Sequence, residues 1–212
     1  EYEKRNETMN DMTIRPERPA DERAVDALTR DAFWDVFRPG CVEHYILHQL
    51  RKHPDFIPEL SLVAEQNGGI VGHIAYSRAA IVRADGTEFP LILFGPLSVR
   101  PDCQKSGVGA ALIRHSLALA GELGYLAVAV CGWPDYYPRF GFQRARVFGI
   151  TDAEGQSPDP LMALELQPGA LAGVSGVLRE SEAYFDTPPA AIDAFDATFP
   201  PREKHVLPGQ FL

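Results

Sequence analysis

The run Gln104-Lys105-Ser106-Gly107-Val108-Gly109-Ala110 sets two glycines and a cation between an apolar stretch, Leu97-Ser98-Val99, and a helix-periodic one. Glycine has no Cβ, so backbone there turns tightly and comes close to a ligand. The first N–H groups of the helix that follows have no intrahelical acceptor and carry the positive end of its dipole. Together these features describe an anion site, best suited to a pyrophosphate. Three phosphate-binding patterns compete for the segment. A P-loop places lysine after the glycine, whereas Lys105-Ser106 precedes Gly107. A dinucleotide fingerprint needs a third glycine, and Leu112 stands in its place. What remains is Gln104-x-x-Gly107-x-Gly109 directly after a strand.

The elements that position this loop are legible around it. Val108, Ala111, Leu112, Leu119 and Leu123 recur at helical spacing and give one apolar face to a sheet, and Gly124 supplies the C-cap. Residues 125–130 form a continuous apolar run, as a buried strand does. Strand, helix and strand make a βαβ unit with a parallel pair, which puts the glycine loop at the carboxyl end of the first strand. Upstream, residues 13–16 read as a short strand, and Asp21 as the N-cap of a helix with Val25, Leu28, Ala32 and Phe33 on one face. A second helix spans about 42–52. Strands at 60–65 and 70–82 flank the hairpin signal Asn67-Gly68-Gly69, and Asp85-Gly86 turns the chain into a strand over about 89–99. Residues 144–150 and 161–166 read as two further strands.

About thirty residues beyond the loop stands Asp135-Tyr136-Tyr137-Pro138-Arg139-Phe140-Gly141-Phe142, a short helix ending in Tyr-x-x-x-Gly-Phe. With both motifs in this order, the chain resembles the GNAT superfamily of N-acetyltransferases. The resemblance covers residues 13–167 and implies an α/β (α+β) fold, a mixed central sheet flanked by helices. It implies acetyl-coenzyme A as co-substrate and no metal. Gln104, Lys105, Ser106, Gly107, Val108, Gly109 and Ala110 would take the pyrophosphate on their N–H groups, and Leu97, Ser98 and Val99 would hold the pantetheine arm. Tyr137 would protonate the departing thiolate. Lys105 and Arg100 are candidates for charge pairing with the phosphates. Many family members carry a glutamate base on the strand before the loop, but Leu91-Ile92-Leu93-Phe94-Gly95-Pro96 has no carboxylate. Glu43, His44, His73, Asp135 and a water relay remain as bases. The implied activity is direct acetyl transfer to a primary amine. A longer acyl chain is one alternative, and a non-catalytic acyl-coenzyme A sensor is another that the missing carboxylate keeps open.

Two other constellations carry less. Cys41, His44 and His48 have spacing that could chelate a metal, yet nothing completes the ligand set, and the pair of histidines reads as polar helix surface. Cys103 precedes a helix N-terminus, but His115 lies about two turns further on, too far to activate it.

With 212 residues, 45% of them hydrophobic, the chain can bury a sizeable core. Residues 97–146 hold six Lys/Arg against three Asp/Glu, while residues 151–212 hold three against ten, within a net charge of −9. A local basic excess suits a polyanionic coenzyme, and the overall acidity argues against nucleic acid and favours an amine acceptor. No window approaches the roughly 18 apolar residues of a membrane span. Three cysteines without motif spacing argue against a disulfide framework, and a soluble cytoplasmic protein is expected. Residues 1–12 read as a polar leader and 168–212 as an extension packing on the domain, with a short helix at 189–195. That extension could wall the acceptor pocket or support a homodimer.

Overall fold

The computed structural model describes residues 12–210. The polar leader lies outside them, Met12 apart. Strand β1 (Met12–Pro16) precedes helices α1 (Glu22–Phe33) and α2 (Glu43–Leu50), then β2 (Leu62–Gln66), β3 (Gly69–Val82) and β4 (Glu88–Val99). Helix α3 (Val108–Glu122) leads to β5 (Ala127–Cys131), followed by the short strands β6 (Gln143–Arg144) and β7 (Ile150–Thr151), β8 (Leu161–Glu165), β9 (Gly176–Arg179) and helix α4 (Pro189–Asp196).

Among the described residues the nine strands form one mixed sheet, ordered β1-β2-β3-β4-β5-β8-β6, with β9 on β3 and β7 on β9. The β4–β5 pair is parallel, as a helical crossover requires. Side-chain alternation along β4 sets the layers. Ile92 and Phe94 join Leu112, Ile113, Val128 and Met162 in the core beneath α3. Leu91 and Leu93 join Ala127, Ala129, Leu171 and Leu178 on the opposite face, where Val25, Leu47 and Leu50 of α1 and α2 also pack against the sheet.

Several expectations need correction. The strand expected over 144–150 is broken. After β6 the chain takes a 3-10 turn, Ala145–Phe148, and Gly149 at φ 70° reverses it into β7, so that Ala145 and Ile150 both enter the same core. Asp21 does not cap α1 with its side chain. Its carboxylate instead meets the Arg15 guanidinium at 2.6 Å and accepts the Arg18 N–H at 2.8 Å. The buried face of α3 is Val108, Leu112, Ile113, Ser116 and Ala120, and Leu123 is exposed. Strand β9 has no counterpart in the sequence reading. It pairs along Ala80–Val82 of β3, and Gly176 sits so close to Val82 that a Cβ would lie 2.2 Å from its carbonyl oxygen.

Candidate functional site

Strands β4 and β5 stay paired only at Ile92↔Val128 and Leu93↔Ala129, and then part. On its other side β4 remains on β3 to Val99, through a bulge in which Gly95 and Pro96 oppose Ala75 alone. The Arg100 N–H reaches Val71 O at 2.9 Å. Alternation of the antiparallel ladder therefore directs the backbone groups of Leu97 and Val99 to the opposite edge, the one β5 has left. A cavity of about 960 Å³ opens at this fork.

One end of the cavity is the glycine loop. Gly107, at φ 103°, is the N-cap of α3 and makes no side-chain cap, so the first N–H groups of the helix stay free. Lys105 is held at φ 61°, a conformation uncommon outside glycine, and Ser106 Oγ closes the turn on Cys103 O at 2.5 Å. Leu97, Val99, Gln104, Lys105, Gly107, Gly109 and Ala110 line the cavity. Gln104 Nε2 donates to Val99 O at 3.3 Å, bracing the loop against the strand edge. A Cβ on Gly109 would stand 3.5 Å from Val99 and 3.6 Å from the Tyr136 hydroxyl, within the space a ligand would use. Ser98, Ser106 and Val108 are not in the lining. Ser98 is buried with its hydroxyl on Thr29 at 2.9 Å, and Val108 packs beside Gly72. Arg100 turns to Asp102 at 2.6 Å, which leaves Lys105 and Arg139 as the cations of this end.

Tyr137 borders the cavity from the first position of the 3-10 turn Tyr137–Phe140. Its ring meets Phe94, Tyr136 and Phe142 edge-on at 5.3, 5.3 and 5.7 Å. It also packs against Gly132, where a Cβ would come within 2.3 Å of Cε2. Burial, helped by Tyr136 and Cys131, pushes its hydroxyl well above the ordinary tyrosine value, so the group stays protonated at neutral pH.

Further lining comes from α1, α2 and the extension beyond residue 167. Phe33, Phe37 and Trp133 form an aromatic rim, with Phe37 stacked on Trp133 at 6.2 Å. Two carboxylates line the cavity, Glu43 at the start of α2 and Glu180 just after β9. Tyr184 follows, with its hydroxyl 3.1 Å from Ser77 Oγ and against Gly95 of the bulge. Of the bases considered, only Glu43 lines the cavity. His44 and His73 are wholly buried elsewhere, and Asp135 is not in the lining. The Cys41, His44 and His48 side chains do not converge. Cys41 Sγ meets Glu43 at 3.3 Å, His44 faces Asp196 and His48 stacks on Phe195. Among the described residues no group of three or more His, Cys, Asp or Glu side chains could hold a metal ion.

Comparison with known proteins converges on this architecture. Residues 58–144 match the family model described as an acetyltransferase (GNAT) domain. The uncharacterised N-acetyltransferase YhbS of Escherichia coli K12 is 30% identical over 174 residues, covering 82% of this chain and 98% of the relative. The crystal structure of E. coli YhbS in complex with CoA superposes with a TM-score of 0.74 at 27% identity, over 84% of this chain and 93% of that one. A GNAT family acetyltransferase from Brucella melitensis, solved with acetyl-CoA, gives 0.67 at 31% identity, over 82% and 97%. A relative of that identity, matched over nearly its whole length, places the forked sheet and its glycine loop in one family: the chain belongs to the GNAT acetyltransferases.

Proposed function

We propose that the chain binds acetyl-coenzyme A in the fork between β4 and β5 and transfers its acetyl group directly to a primary amine. The observation that carries the reading is a continuous cavity lined by the uncapped N-terminus of α3, the unpaired edge of β4 and Tyr137. The complexes of the YhbS and Brucella proteins with CoA and acetyl-CoA support the same choice of co-substrate.

The residues fit that co-substrate. Free N–H groups at the start of α3 and the Lys105 ammonium offer donors and positive charge to a pyrophosphate. The backbone groups of Leu97 and the Val99 N–H offer a strand edge to an amide-bearing arm, while Val99 O already accepts from Gln104. Acetyl-coenzyme A supplies an activated acyl thioester. Backbone donors on the β4 edge then stabilise negative charge on the carbonyl oxygen, and the protonated Tyr137 hydroxyl gives a proton to sulfur as the C–S bond breaks.

The test is Tyr137→Phe, assayed by thiol release from acetyl-coenzyme A over a panel of amines. Loss of a positioned acid lowers turnover roughly a hundredfold, while coenzyme affinity stays as in the wild type. Unchanged turnover would remove Tyr137 from the mechanism. Coenzyme binding with no transfer to any amine would favour a sensor.

A further inference from the structure

The cavity is lined mostly by apolar side chains and carries charged groups of both signs. Lys105 and Arg139 stand at the loop end, with the Arg139 guanidinium 4.4 Å over the ring of Tyr136, whose hydroxyl approaches Gly109. Glu43 and Glu180 line the same cavity, from the start of α2 and the residue after β9. The two carboxylates are not equivalent. Glu43 Oε2 accepts from the Val42 N–H at 3.1 Å and the Cys41 thiol at 3.3 Å. Glu180 is half-buried, and among the described residues no cation or hydrogen-bond donor meets it. Its carboxylate is open to the cavity and free to accept from an incoming cation.

Resting on the transferase reading, we propose that Glu180 receives the acceptor's ammonium group and takes its proton, so that the site selects cationic amines bearing an apolar or aromatic group. The aromatic group lies against Phe33, Phe37 and Trp133, the last of which leaves 65% of its surface exposed at the rim. In the reaction, one N–H proton of the ammonium moves to Glu180. The amine lone pair forms the C–N bond to the acyl carbon, the C–S bond breaks, and sulfur takes the Tyr137 proton. The surplus proton on nitrogen restores the tyrosine, and Glu180 returns its proton to solvent. One ammonium and one thioester thus give one amide, one thiol and one proton.

The surroundings of Glu180 suit this role. Cys131 of β5, Asp152 and Glu154 of the turn after β7, and Tyr184 face it. Burial, with Asp152 and Glu154 adding repulsion, raises its carboxyl above the ordinary glutamate value, which strengthens it as a base. The site is set by tertiary structure, since Glu180 reaches the fork only because β9 pairs with β3.

The test uses phenethylammonium, n-butylammonium and neutral 2-phenylethanol as probes, titrated calorimetrically into the full chain with and without coenzyme A. The wild type binds phenethylammonium most tightly, the alkylammonium more weakly and the alcohol not detectably. Glu180→Gln weakens the amine at least tenfold and leaves acetyl-coenzyme A affinity unchanged. Thermal stability near neutral pH does not fall, because the variant removes a carboxylate that Asp152 and Glu154 repel. Glu180→Gln also abolishes the acid limb of the kcat/KM pH profile, and Glu180→Asp restores part of the amine affinity and of that limb. Equal binding of amine and alcohol, no binding of either cation, or a Glu180→Gln variant that keeps the amine affinity and the acid limb would each overturn the proposal. Failure of the wild type to bind acetyl-coenzyme A would instead overturn the transferase reading, while amine recognition is still decided by the titrations without coenzyme.

Discussion

His44 lies wholly buried on α2, ringed by Phe195 at 5.2 Å and Phe199 at 5.4 Å, with Asp196 Oδ1 3.3 Å from Nε2. Burial drives its pKa down to about 4 against the opposing pull of Asp196. The unfolded chain takes up this proton near 6.5 and the folded one only near 4, so stability falls as pH drops through that window, by about 3 kcal/mol at most. Glu17 continues the loss at lower pH. Burial alone would raise its carboxyl, but His73 and Arg51 outweigh burial and bring it to about 2. Its contribution is therefore present above 4.5 and lost as pH falls toward 2. Denaturant midpoints measured from pH 7 to 4 should decline steadily, and His44→Gln should flatten that decline. An equally steep decline in the variant would contradict the assignment. The same residue shows why the sequence alone left several bases open. His44 and His73 were candidates because a titratable side chain carries no mark of its own burial, whereas Gly107, Gly109 and Tyr137 stood in spaced motifs whose geometry is local.

At the scale of elements, α3 must hold its N-terminus over the fork, and Gly72 of β3 makes that possible. A Cβ there would lie 2.7 Å from Val108 Cγ1 and 3.0 Å from Leu112 Cδ1. Gly72→Ala should wedge the first turn of α3 off the sheet. It should cost about 1–3 kcal/mol in stability and weaken acetyl-coenzyme A binding, because the loop N–H groups move with the helix. Melting and coenzyme titration of this variant check both effects, and wild-type affinity would show that the loop is held independently of the helix. Long periodic elements were legible: α3, β3 and β4 span 15, 14 and 12 residues, enough for a pattern to repeat. Strands β6, β7 and β9 span two, two and four, too few to show a period, and their strand character comes from the neighbours they pair with.

Over the whole molecule, the segment beyond residue 167 is woven into the site. Strand β9 joins the sheet, Glu180 and Tyr184 line the cavity, and α4 packs on α2 through Phe195 while Asp196 holds Arg30 of α1 at 2.6 Å. The acidic excess of residues 151–212, read from composition alone, thus includes a carboxylate that lines the same cavity as the glycine loop. Composition disclosed the charge asymmetry, but which carboxylate enters the cavity depends on a strand pairing about a hundred residues apart in sequence, between β3 and β9. Everything proposed for the chemistry rests on the pyrophosphate site at the start of α3. The most direct measurement is calorimetric titration of acetyl-coenzyme A into the wild type and into a Gly107→Glu, Gly109→Glu double variant shown to be folded. Wild-type affinity on the order of micromolar, abolished when two carboxylates fill and repel the phosphate space, is the expected result. A folded wild type that does not bind the coenzyme, or a double variant that binds it as well, would contradict the account.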